Sequence, residues 1–597
     1  MQQKRLLLAL ALSTAILFLW SYLFPSKPPQ PQPPPNTATQ KAEPQNPVVS
    51  SLPSGQTVSA ASATEDVPRR TLSIKTPLYE ARIDSRGAEA VSWIIKKNKS
   101  SAREIHSVAG SKNNPVPLEL IPPEGLKREP RDVPLQLFTG DSSLDGVLSS
   151  RNYKIEGVEG GGDDIQVTLA TGETKRINFV LRDSATGLDV VKTIVFDADA
   201  YNLDFNVAIK RGDQPFPQVR VKIGPSIGDQ GVKHYTFYSV APEGVAALNG
   251  KVQRQHATAI NENKNSPDRL ALGGPVDWAG VGDTYFSMVV VPAKPSNEVE
   301  FHTVQYDYTA NGKPEKRYLI SALLPVAGDG SRNIIYVGPK DHYLLTEASQ
   351  KISQTVGRSV DLEGLIDYGW LGWLSRPLAV PILWCITELY RITGSYGVAI
   401  ILFTIVIYSL FFPLKWRSSK SMKKAQKLAP RMKELQEKIK GLKQNDPRLK
   451  ELQVEQLRLM KEGNPLGGCL PLLIQMPFLF ALYRAITISL DFRQASFLWL
   501  PDLSAGDPYH ILEVLMAGTM IVLQLITPAP SADPLQRKMM AIGMPLFMLY
   551  VLWGAPSGLL LYWLVGNIVG FSQQFLINRL TQSEDDVRTP MQVRAKS

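Results

Sequence analysis

Two kinds of hydrophobic spacing divide this chain. From about Thr71 to Gly338 apolar and polar positions alternate: Leu203, Phe205, Val207 and Ile209 interleave with Asp204, Asn206 and Ala208, and similar short runs recur at Ile165 to Leu169 and Tyr285 to Val291. Period two, punctuated by Gly, Asp, Asn and Pro, predicts an antiparallel β-sandwich with one inward face per strand. Beyond about Ser359 the spacing changes to near-continuous apolar runs: Tyr396 to Leu414, Pro465 to Ile486, Tyr509 to Thr527, Met539 to Trp553 and Leu559 to Ile577. Runs of this kind predict membrane-crossing helices. A sixth run, Leu6 to Phe24, is about 28 Å long as a helix. No small-x-small site precedes Pro25, which favours an uncleaved anchor over a cleaved signal peptide.

Between the second and third runs lies a segment, Lys415 to Glu462, with fifteen Lys/Arg against six Asp/Glu. Such an excess predicts the cytoplasmic side for this segment, and every other short loop then takes its side from it. Six spans with both termini cytoplasmic satisfy those loop charges, and the long β-domain falls outside the cytoplasm. The segment reads as a helical hairpin. Met422, Ala425, Leu428, Met432, Leu435, Ile439 and Leu442 recur at three- and four-residue steps, a seam for a partner helix, and Pro430 predicts a kink. Asp446 followed by Pro447 predicts a helix start, and the return runs through Leu449, Leu452 and Leu459. The hairpin carries nearly all of the net charge of +10, so no specific nucleic acid is needed to explain the basic balance. Its excess of charge points to a docking role, with Lys423, Lys424, Lys427, Arg431 and Lys433 as candidates.

The resulting organisation is a multi-domain membrane protein. It comprises an anchor (1–24), a Pro-rich tether (25–70), a β-sandwich domain (71–358), an interfacial amphipathic segment (359–394), a second span (395–414), the basic hairpin (415–463), spans three to six (464–579) and a tail (580–597). The interfacial segment mixes Trp370, Trp373 and Trp384 with Arg376, Glu388 and Arg391, a composition that suits the headgroup zone. Both cysteines, Cys385 and Cys469, fall in or beside membrane segments, so the β-domain has neither a disulfide nor a cysteine metal site. His106, His234, His256, His302 and His342 show no metal-ligand spacing. No cofactor or metal is expected. Inside the spans, Thr404 and Tyr408 stand four apart, Gln475 lies mid-way along the third run, and Asn567 and Gln574 stand seven apart with Gln573 beside them. Amides in lipid must face protein or water, which leaves interhelical bonding and a polar path both open for each.

The motifs NPLGGCLPLLIQMPFLFALY, LDFRQASFLWLPDLSAGDPYHILEVLM and PSGLLLYWLVGNIVGFSQQFLI resemble the YidC membrane protein insertases of Gram-negative bacteria. The order of tether, β-domain, DYGWL segment and hairpin agrees over essentially the whole chain. The resemblance implies an inner-membrane, multi-pass, non-enzymatic insertase and chaperone with a periplasmic β-domain and a five-helix core. Its partners would be nascent membrane proteins, the ribosome and targeting factors, the Sec translocon and membrane lipids. It also implies a hydrophilic groove open to cytoplasm and lipid, which maps here onto Thr404, Tyr408, Gln475, Met476, Trp563, Asn567 and Gln573. One position departs: the family arginine five residues before the Pro-Leu ending the second span is Tyr408 here. The nearest intramembrane cation in sequence is Arg484, which nine helical steps turn away from Gln475, so that it either snorkels or pairs with Asp491. A secondary transporter is the alternative, but no internal repeat supports it. Nor do the spans carry GxSxG, HExxH or a paired-carboxylate motif for an enzyme.

Overall fold

The computed structural model describes residues 67–594, apart from 112, 161, 230–237, 239, 263–265, 311–312, 370, 443–445, 464–465 and 529–533. The expected anchor (1–24), the tether up to residue 66, His234, Trp370, the turn at 443–445 and the last three residues of the tail lie outside the described residues.

Alternation in the sequence becomes two facing sheets. The smaller has six strands in the order His106–Ser111, Asn114–Glu119, Glu89–Ile95, Tyr79–Asp84, Thr71–Lys75, Asp164–Thr168. Its last pair is parallel, the one departure from antiparallel pairing among the described strands. The larger sheet is built on the long hairpin Ser296–Ala310 and Lys313–Ala327 and on Leu188–Asp197 beside Asn202–Arg211. In the last of these, Leu203, Phe205, Val207 and Ile209 are buried and their neighbours half-exposed, as the period requires. Strand Phe286–Val291 differs from the expected alternation, being buried at every position and hence covered on both faces. The sheets are joined by polar groups as well as by apolar packing. Tyr79 donates to the Asp197 carbonyl at 3.1 Å, and the buried Lys192 ammonium donates to the carbonyls of Gly87 (2.7 Å), Ala88 (3.2 Å) and Leu135 (2.9 Å). Just before the first strand, Arg69 pairs with Asp84 and the Arg70 amide donates to Ser85 Oγ at 2.7 Å.

The last strand, Asp329–Pro339, leads into α1 (His342–Val356), capped by Asp341, whose carboxylate accepts from the amides of Tyr343 and Leu344. Helix α2 (Gly372–Thr393) buries Ser375, Ala379, Ile382 and Ile386 on one face and leaves Trp373, Trp384 and Ile392 exposed. Gly394, in the left-handed region at φ 69°, ends it, and Ser395 caps the next helix. Helix α3 (Tyr396–Lys440) is one unbroken element of 45 residues, about 68 Å long, so the expected boundary between span and hairpin at Leu414 and Lys415 is not a break. Pro413 and Pro430 both lie inside it. Each proline removes only one intrahelical bond.

Asp446 opens the return helix α4 (Arg448–Gly463) by accepting the Arg448 amide at 2.9 Å. The seam predicted on the hairpin faces this helix: Ala425, Leu435 and Leu459 are buried. Helix α5 (Leu466–Ile488) follows, and a compact outer loop leads to α6 (Ile511–Ile526). A π-helical turn at Met539–Gly543, in which the Met544 amide bonds the Met539 carbonyl, precedes α7 (Met544–Val551). Helix α8 (Ser557–Arg594) ends the described chain. Among the described residues, α3 and the Ser557–Thr581 part of α8 are long and apolar enough to cross a membrane by themselves.

Two expectations about the outer side are corrected. Arg484 does not pair with Asp491: its guanidinium lies against Gly369, where an added Cβ would overlap it, and Asp491 is met instead by the Asn98 amide at 3.3 Å. The β-domain, read as set apart from the spans by a tether and an interfacial helix, packs directly on the loop after α5. Arg493 of the outer loop is buried in an ion pair with Asp229, which also accepts from Ser107 Oγ at 2.6 Å and the Val108 amide at 2.9 Å. Gln494 donates to the Ser107 carbonyl at 2.9 Å and Tyr238 to the Ser504 carbonyl at 3.2 Å. The outer loop is therefore clamped to the domain by buried charge and by backbone.

Candidate substrate groove

Helices α3, α5 and α8 bring three of the expected residues together. The Gln475 amide donates to Tyr408 Oη at 2.8 Å, and the Gln573 amide donates to the Tyr408 carbonyl at 3.0 Å. With Phe411, Leu414, Lys415 and Tyr562 they line a cavity of about 60 Å³, room for a few water molecules. The Gln573 carbonyl oxygen is buried with no partner among the described residues, so the site retains acceptor capacity.

The site is narrower than the groove that the resemblance implies, because aromatic rings occupy it. Tyr408 and Tyr562 meet edge to face at 6.1 Å, and Phe478 lies 6.1 Å from Tyr562. Tyr408 can press this close to α8 only because residue 566 is glycine; a Cβ there would overlap the phenol.

Four lining residues escaped the sequence reading, the apolar Phe411 and Leu414 and two polar ones. Tyr562, not its neighbour Trp563, faces the cavity. Lys415 supplies a cation: its ammonium donates to the Gly570 carbonyl at 2.7 Å, and Gly570, like Gly566, leaves room for it. Lys415 is seven residues after Tyr408, two turns along the same helix face, and that spacing was the available signal.

The other expected groove residues sit elsewhere. Thr404 is fully buried and its hydroxyl donates to the Ile400 carbonyl of its own helix at 2.6 Å. Asn567 is buried and donates to the Met516 carbonyl (3.3 Å) and Thr519 Oγ1 (3.1 Å), fastening α8 to α6. Gln574 donates to Ser419 Oγ at 3.0 Å. Met476 is exposed and Trp563 is partly buried; neither lines the cavity. Helix α8 thus has two polar faces: Tyr562, Gly566, Gly570 and Gln573 receive α3 and the cavity, while Asn567 holds α6.

Along α3 and α8 the contacts advance together. Tyr408 meets Gly566, Lys415 meets Gly570, Ser419 meets Gln574, and Lys423 meets Thr581. The two helices therefore run parallel. Of the expected docking residues, Lys423 is engaged by Thr581, whereas Lys424, Lys427, Arg431 and Lys433 are exposed, Lys424 lying 3.6 Å from Glu462. Among the described residues no cluster of His, Cys, Asp or Glu could hold a metal ion.

The family described as 60Kd inner membrane protein matches residues 388–584, and that described as YidC periplasmic domain matches residues 71–381. A membrane protein insertase YidC from Syntrophus aciditrophicus is 30% identical, over 96% of this chain and 99% of its own. One from Citrifermentans bemidjiense is 29% identical over 97% and 99%. Among solved structures, an active YidC insertase crystal structure with the first transmembrane domain resolved covers 83% of this chain and 90% of its own, at 16% identity and a TM-score of 0.30.

Proposed function

Because this chain belongs to the YidC family of membrane protein insertases, and is itself an insertase of the inner membrane with a periplasmic β-sandwich domain and a helical core, we propose that it acts without making or breaking a bond. Polar parts of a nascent membrane protein shelter at Tyr408, Gln475 and Gln573 while the segment passes into lipid beside α3 and α8. The carrying observation is the convergence of three helices on Tyr408, with amides at 2.8 and 3.0 Å and a cavity between them. In lipid such groups attract water and polar chain more strongly than hydrocarbon does.

The full arrangement has six spans and two cytoplasmic termini. The parallel course of α3 and α8 supports it, since it sends the basic hairpin and the C-terminal tail to the same side. The exposed Lys424, Lys427, Arg431 and Lys433 receive the ribosome or a targeting factor, and the Sec translocon is a neighbour for larger clients. The short α7 thins the bilayer beside the groove: Met539–Val551 spans about 20 Å as a helix against about 30 Å of hydrocarbon. Photocrosslinking from positions 475 and 573 to a stalled nascent inner-membrane protein tests the proposal. Adducts from both positions, lost in a Tyr408→Leu variant of equal abundance, are expected; adducts to lipid alone would sink it.

A further inference from the structure

A second cavity, of about 390 Å³, shares no lining residue with the groove. It lies where α1, α2 and the end of α5 meet the β-domain. Its wall on α2 is a stripe at three- and four-residue steps that changes character along its length: Val380, Leu383 and Trp384 are apolar, and Thr387, Glu388 and Arg391 are polar or charged. Ile488 and Leu490 extend the apolar part. The polar part holds two opposite-charge pairs, Arg391 with Glu388 at 2.7 Å and Lys99 with Glu347 at 3.1 Å, and Lys340, Asp341 and Asp491 also line the cavity. Tyr368 also lines the cavity. It is 8% exposed, and its hydroxyl is buried with no hydrogen-bond partner among the described residues.

An apolar wall grading into charge of both signs fits a zwitterionic amphiphile, and the exposed Trp373, Trp384 and Ile392 of α2 suit the outer headgroup zone. We propose that this cavity holds one phospholipid with a phosphoethanolamine head. Its phosphate lies toward Lys99 and Arg391, and its ammonium toward Glu347, Glu388 and the Tyr368 hydroxyl. An anionic head would meet four lining carboxylates, those of Asp341, Glu347, Glu388 and Asp491, without a compensating cation of its own. A quaternary head has no N–H to give to the carboxylates or to Tyr368.

The test is native mass spectrometry of the full chain in mild detergent, titrated with phosphatidylethanolamine, phosphatidylcholine and phosphatidylglycerol of identical chains. One ethanolamine lipid should be retained with a preference on the order of tenfold over the other two, the worth of one or two charge-assisted hydrogen bonds. Glu347 and Glu388 are both partly exposed, so E347Q/E388Q should keep its unfolding temperature and lose the preference over phosphatidylcholine. Leu383→Trp, which fills the apolar part, should lower retention of every lipid. Equal retention of the three heads, or a preference that survives E347Q/E388Q, overturns the assignment. Glycerophosphoethanolamine, which has the head and no chains, should fail to compete; competition at equal concentration would assign the site to a soluble head and overturn the lipid.

Discussion

Tyr408 is held by steric fit to Gly566 as much as by hydrogen bonds, and that makes a sharp expectation at the scale of one residue. Gly566→Ala should destabilise the membrane core by about 1–3 kcal/mol, because the new methyl overlaps the phenol in a packed site. In a Tyr408→Leu background the same change should cost markedly less, and the coupling is measured by a double-mutant cycle of thermal unfolding in detergent. Equal costs in both backgrounds would show that the phenol does not set the spacing. A different residue contributes to the response of the β-domain to pH. Asp283 accepts the amides of Tyr285 (2.8 Å) and Phe286 (2.7 Å), but burial pushes its pKa from 3.8 up to about 6 against those donors, Lys340 and Arg493. The folded state binds this proton more tightly than the unfolded one. Its stabilising contribution is complete below about pH 4 and lost as pH rises through about 6. Asp283→Asn keeps an acceptor for both amides and never ionises, so it should leave stability at pH 4 nearly unchanged and raise it at pH 7 by an amount on the order of 3 kcal/mol. Urea unfolding at the two pH values checks this; parallel pH slopes for both proteins would refute it. Both features rest on which neighbour a side chain meets. The sequence shows Tyr408 and Gln475 as polar residues in apolar runs, but nothing in it shows that Gly566 rather than a larger residue stands opposite, or that Tyr562 and not Trp563 faces inward.

At the scale of elements, α3 joins the outer end of the membrane core to the tip of the hairpin without interruption. Reading Pro413 and Lys415 as the end of a span was reasonable from composition, since charge follows proline there, yet one missing bond does not end a helix that is packed along its length. The same reading hid Lys415 by assigning it to the juxtamembrane charge. The hairpin seam, the Asp446 cap and the alternation of Asn202–Arg211 were legible because each depends on local spacing alone. The lower part of α3 belongs structurally to the core: Ser419 and Lys423 bond to α8. Lys424 beside Glu462 shows that the two hairpin helices are adjacent at that level, so a short linker can close there. Replacing Lys427 to Lys461 by such a linker should leave the unfolding temperature of the core nearly unchanged and reduce insertion of co-translationally targeted clients. Starting the deletion at Ser419 should lower that temperature as well. A fall in stability for the shorter deletion would mean that the hairpin supports the fold rather than docking a partner.

For the whole molecule, the decisive feature is the buried pair between Asp229 and Arg493. Separate reading of the β-pattern and the apolar runs makes the two parts look independent, because a contact between residues 264 apart leaves no periodic trace. Removing Arg493 takes a buried charge-assisted bond from Asp229, a loss of about 1.5–3 kcal/mol. Arg493→Ala should therefore loosen the β-domain from the outer loop, seen as faster amide exchange at Val108 and Gln494 with the strands of the larger sheet unaffected. Unchanged exchange at both positions would remove the pair from the account. The pair also sets a clock. The strands that hold Asp229 leave the ribosome before Arg493 has been made, and 264 residues at 5–20 per second take roughly 13–50 s. Through that interval Asp229 has Ser107 and Val108 but not Arg493, so chains arrested before residue 493 should be cut by protease near Ser107 more readily than completed ones. Closure of this face is thus a late event in the life of each molecule, waiting on the synthesis of α5 and the loop after it.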